Sequence, residues 1–161
     1  MSCSTRSPEP AAITPAQVRR AFARLPLPAS TLVIQPPDGL TLVNFDTNFY
    51  TTSTAPITRR VRLLGRPVTI EATPSEYDWQ FDDGDALATD EPGAPYPDLT
   101  ITHNYQRKGT YGPRLDTVYS GRFRVGNRPW QQIPGTVTIA GTPQRLRAIE
   151  AQPKLVAPYG P

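Results

Sequence analysis

The residue types in this chain best able to do chemistry are acidic. Asp82, Asp83 and Asp85 fall together around Gly84, with Asp78 and Asp90 a few positions to either side. Calcium takes roughly six to eight oxygen ligands and favours flexible acidic loops, so Asp82, Asp83 and Asp85 are the candidate metal ligands and calcium the expected ion. The bidentate Glu that closes an EF-hand loop is missing from this spacing. Carboxylates beside a glycine can equally cap the amides of a tight turn, and the two roles stay open.

The one histidine, His103, is the side chain here that titrates near neutrality unperturbed. A Ser-His-Asp hydrolase would rest on it alone, and with no second histidine a zinc centre has almost no ligands. A structural histidine is therefore expected. A glycosidase needs only two carboxylates, but carboxylates clustered on one turn do not face each other across a cleft. The chain reads as non-catalytic, with no cofactor beyond the calcium considered above. The single cysteine, Cys3, excludes an internal disulfide. It is followed by the small, polar, proline-containing stretch Ser4 to Pro10, which looks like the start of a mature bacterial lipoprotein. A lipid anchor at Cys3, and a secreted or cell-envelope setting, are the expectations. Two further groups suit an interaction surface. Trp130 stands close in sequence to Arg122, Arg124 and Arg128, and Tyr96 is held between Pro95 and Pro97.

The elements that must position these residues are mostly strands. Proline supplies 20 of 161 residues, more than twice the usual share, so long helices are excluded. Residues 1–12 are too polar and Pro-rich to order themselves and read as a disordered tether. Thr14-Pro15 is a cap and first-turn pair, and Val18, Phe22 and Leu25 follow at helical spacing until Pro26. This predicts one short helix, Pro15 to Leu25, within an N-terminal lead-in of 13–40, with Arg19, Arg20 and Arg24 on its solvated face. From Ser30 the apolar period becomes two. Strands are expected near 31–35, 41–51, 57–64, 67–73, 76–82, 99–106, 113–125, 129–133, 136–140 and 143–150. Gly65 and Gly126 mark hairpin turns, Leu87 to Asp98 reads as an acidic loop, and 153–161 as a flexible tail. Ten short strands with such turns suggest an antiparallel sandwich.

Within this pattern Tyr77, Trp79 and Phe81 alternate with Asp78, Gln80 and Asp82, so one face is aromatic core. The run Trp79-Gln80-Phe81-Asp82-Asp83-Gly84, then His103-Asn104-Tyr105, then Gly109-Thr110-Tyr111, resembles the signature of the PKD (polycystic kidney disease) domain family. The resemblance covers roughly residues 41–152. It implies an all-β, immunoglobulin-like sandwich of seven strands with Trp79 in its core, and Phe81, Gly84, His103, Tyr105, Gly109 and Tyr111 as structural motif residues. Its partner class is extracellular protein or polysaccharide, and some members bind calcium. Asp82 stands where the family usually has glycine, which predicts a differently shaped turn. Tyr119 to Ile133 looks like an extended hairpin where the family has a short connection.

Charge is uneven along the chain. Residues 1–70 carry eight basic and three acidic side chains, 71–98 nine acidic and none basic, and 107–161 nine basic and two acidic. The basic residues are dispersed, which argues against nucleic acid as a partner. No apolar run approaches the roughly 20 residues of a membrane span. The expected function is a non-catalytic interaction module binding protein or polysaccharide; the alternative is a structural subunit or spacer of an extracellular homo- or hetero-assembly.

Overall fold

The computed structural model describes residues 12–151. Cys3, the tether before residue 12 and the tail from 153 lie outside the described residues. Helix α1 (Pro15–Ala23) starts where the sequence places it: the Thr14 hydroxyl accepts from the Gln17 amide, and the Gln17 side chain reciprocates to the Thr14 amide. It stops short of Leu25 because Pro26 cannot continue it. Val18 and Phe22 are buried, while Arg20 and Arg24 face solvent and Arg19 is half-buried.

Two long antiparallel strands, β5 (Arg66–Gln80) and β9 (Arg114–Val125), form the spine of the molecule. Along the other edge of β5, β4 (Ile57–Leu63) and β6 (Ala86–Thr89) pair with successive stretches of it. Along β9, β10 (Gln131–Gln132) and β11 (Val137–Ile139) do the same. Strands 67–73 and 76–82, expected as separate, are one strand interrupted by a bulge at Ser75, between Pro74 and Glu76. Leu64 and Gly65, both at positive φ, make the two-residue turn expected between β4 and β5. The stretch expected to be loop from Leu87 begins instead as strand β6, because Tyr77 to Gln80 leave an unpaired edge that Ala86 to Thr89 satisfy.

The bulge sets the architecture. Before it the buried residues of β5 are Val68, Ile70 and Ala72; after it they are Tyr77 and Trp79, so the inserted residue switches parity and keeps all five on one face. On β9 the same face carries Leu115, Thr117, Tyr119, Gly121 and Phe123. That face is covered in two halves. The helix, with Leu27 and Ile133, covers Val68, Ile70, Tyr119 and Phe123. Two small sheets cover the other half around Trp79, contributing Leu32, Phe49, Ile101, Tyr105, Leu146 and Ala148. One sheet is β1 (Val33–Gln35), β3 (Thr47–Tyr50) and β7 (Thr102–His103). The other is β2 (Leu40–Leu42), β12 (Leu146–Ile149) and β8 (Gly109–Tyr111), with β2 parallel to β12.

The expected strand 41–51 is split between those small sheets. Asn44 turns at positive φ while its amide bonds the Tyr105 carbonyl, carrying the chain from one sheet to the other. The expected strand 99–106 contracts to β7, and the expected strands at 129–133 and 143–150 contract to β10 and β12. The described residues are thus mostly antiparallel strand with one short helix. Among the described residues no helix is long and apolar enough to cross a membrane.

Candidate functional site

The acidic turn is built into the fold motif. Asp82 has φ +68, a left-handed backbone that glycine adopts at lower cost, and its carboxylate accepts from the Gly112 amide at 2.7 Å. Asp83 accepts from the Asp85 amide at 3.1 Å through one oxygen and meets His103 Nε2 at 2.6 Å through the other. His103 lies flat on Phe81, ring centroids 4.0 Å apart, and edge-on to Tyr105. The Tyr105 hydroxyl donates to the Phe81 carbonyl, and that of Tyr111 to the Arg107 carbonyl four residues upstream. Burial, with Asp83 and Asp82 nearby, pushes the Tyr105 hydroxyl well above its ordinary range.

The metal reading of this turn changes its members. Ligand atoms of Asp83, Asp85 and His103 all lie within 4.8 Å of one another, but Asp82 is not among them because its carboxylate is turned to Gly112. Asp90 follows β6 on an exposed stretch. Asp78 faces the opposite side of β5, directly across from Asp116. Burial first, then Glu76 and Asp116, raise the Asp78 carboxyl to about 6. Asp116 is already satisfied by Arg114 and the Gly141 amide, and no donor among the described residues reaches Asp78 Oδ1.

The interaction residues of the extended hairpin do converge. The pairing of Gln131 and Gln132 with Phe123 and Arg122 confirms the hairpin, and Phe123 takes its place in the core. Arg122 and Arg124 then share the uncovered face of the sheet, as alternation requires. Their guanidinium carbons lie 4.3 and 4.8 Å from the Trp130 ring centre. Glu71, across on β5, holds Arg122 by two contacts at 2.9 and 3.3 Å. Arg124 pairs across to Thr69, and Arg60 lies beyond it on β4. Arg128 is exposed in the connecting turn, away from the stack.

Tyr96 occupies a cleft on the small-sheet side. Its walls are Tyr96, Phe45, Leu99, Pro36 and Pro37, enclosing about 310 Å³, with Gln35, Asp46 and Asn48 as polar members. Asn48 is 1% exposed and donates to the Gln35 side chain at 3.0 Å and to the Ala94 carbonyl at 2.8 Å. The Gln35 side-chain oxygen also accepts from the Tyr96 amide at 2.8 Å. The Tyr96 loop is pinned by Gly93, where a Cβ would come within 2.6 Å of the Phe49 carbonyl oxygen. Of this cleft the sequence pointed to Tyr96 alone. Phe45, Leu99 and Asn48 are brought to it by chain crossings that leave no periodic signal, whereas the proline-flanked Tyr96 was visible as a rigid segment. Comparison of the chain with protein-family models, curated proteins and solved structures finds no match.

Proposed function

We propose that this chain is a non-catalytic interaction module of the cell envelope or extracellular space, an immunoglobulin-like sandwich of the PKD type, which engages a protein or polysaccharide through the uncovered face of its long sheet. The observation that carries this is Trp130 lying against Arg122 and Arg124 on the face of the long sheet opposite its core. Aromatic and arginine side chains held rigid in one place are what interface centres favour, because little side-chain freedom is lost on binding. Arg60 and Arg62, projecting from β4 to the same side, extend the positive surface and favour an acidic partner. The Tyr111 bond to a carbonyl four residues upstream has the form of a tyrosine corner, which with buried Trp79 supports the sandwich reading. The sole histidine is occupied within that motif, which supports a non-catalytic role.

The test is capture of partners from an envelope and culture-medium fraction by wild type and by an Arg124→Glu, Trp130→Ala variant. Wild type retains a partner that the variant loses while keeping its melting temperature. Equal capture by both overturns the assignment of this face.

A further inference from the structure

The geometry points to a second site, independent of the uncovered sheet face: we propose that the Tyr96 cleft receives an arginine side chain of a partner protein. Hydrogen-bonding capacity decides the ligand class. Both amide hydrogens of Asn48 are committed to Gln35 and Ala94, while its Oδ1, on a side chain 1% exposed, accepts no bond from the described residues. A buried acceptor without a donor is costly, and since this oxygen is closed to solvent in the free protein, a small shift of the lining that admits a donating group would be offset by the bond it gains. Asp46 adds a carboxylate to the lining, engaged by no ion pair among the described residues, and no lining residue is cationic.

The cleft therefore offers acceptors and negative charge between aromatic walls. A guanidinium is the complementary group: it has only donors, it carries positive charge, and its planar face stacks on tyrosine and phenylalanine. Phe45 and Tyr96, 43% and 73% exposed, are the aromatic side chains of the lining. A polyproline segment suits the walls but brings mostly carbonyl acceptors, which would meet acceptors here. A sugar brings acceptors and donors alike and gains nothing from Asp46's charge.

The test is an amide and side-chain NMR titration of the protein with N-acetylated, C-amidated Gly-Arg-Gly, against the same peptide with neutral citrulline and against cellobiose. The arginine peptide is expected to shift the Asn48 side-chain and Tyr96 resonances saturably, with the citrulline peptide and cellobiose weaker by about tenfold or more. Asp46→Asn and Tyr96→Ala, both at surface positions, each weaken the arginine peptide by a similar factor. No shift at about 10 mM peptide, a range that covers weak single-side-chain contacts, overturns the proposal. So does citrulline or cellobiose binding as tightly as arginine. Neither outcome bears on the Trp130 face, whose variants leave this titration unchanged.

Discussion

Asp82 shows how one side chain reconciles strain with function in a turn. Its left-handed φ costs about 1 kcal/mol, and its bond to the Gly112 amide returns a similar amount. Asp82→Gly removes both and should leave stability within about 0.5 kcal/mol of wild type, whereas Asp82→Ala keeps the strain, loses the bond and costs about 1–2 kcal/mol, as read by urea unfolding. Asp78 is the opposite case, a carboxylate opposite Asp116 with an oxygen that nothing donates to. Its folded pKa is raised to about 6 from an ordinary 3.8, so between those values the folded state binds the proton that the unfolded state has lost. Stability therefore falls as pH rises through that window. Asp78→Asn should gain about 1 kcal/mol at pH 7, after discounting for solvent screening, with the gain vanishing below the ordinary carboxylate range. Urea midpoints across that pH range check it. At this scale the sequence told which residues cluster but not where their side chains turn. Asp82, Asp83 and Asp85 are adjacent in the chain, yet the positive φ at Asp82 sends its carboxylate to Gly112 and leaves His103, some twenty positions on, as the group beside Asp83 and Asp85.

Among the elements, α1, the β4–β5 turn and the hairpin at Gly126 were readable because each is written locally: a Thr-Pro cap and first-turn pair, a two-residue turn, a glycine between strand-like runs. The continuity of β5 was not, since its hydrophobic period changes from even to odd positions at Ser75 and looks like the end of one strand and the start of another. The Ser75 hydroxyl, donating to the Val118 carbonyl at 3.1 Å, secures the extra residue. Deleting Ser75 would remove the extra residue and leave Val68, Ile70, Ala72, Tyr77 and Trp79 in regular alternation on one face, whereas inserting one more residue beside it would send either the first three or the last two to the solvent side. The expected result is a deletion variant that keeps a cooperative unfolding transition and native near-ultraviolet dichroism, and an insertion variant that loses both; a deletion variant that fails to fold beside an insertion variant that folds would contradict the role given to the bulge. Strand β6 and the Tyr96 cleft escaped notice for a related reason: each depends on which neighbour offers a free edge or a close approach, as Gly93 does against Phe49.

The whole molecule is one long ribbon buried on one face by two different covers, a helix over half and small sheets over the rest. The two buried clusters share no residue, so the covers should be separable in energy. Phe22→Ala, removing a fully buried ring from the helix half, should cost about 3–5 kcal/mol and lower hydrogen-exchange protection first in β4 and β10, with the strands around Trp79 yielding later. Simultaneous loss in both halves would show a single cooperative core. The other face of the ribbon is polar, with Arg122, Arg124 and Trp130 toward one end and Asp78 and Asp116 toward the other, a spatial form of the charge alternation visible along the chain. That uncovered face is the centre of the functional account. The most direct measurement is cross-linking mass spectrometry of the protein bound to a partner captured from fractionated source cells and their medium, with the contact sites mapped residue by residue. Cross-links and surface protection concentrated on β4, β9 and the hairpin around Trp130 are predicted. A contact map that leaves those strands free and falls on the helix would contradict the assignment.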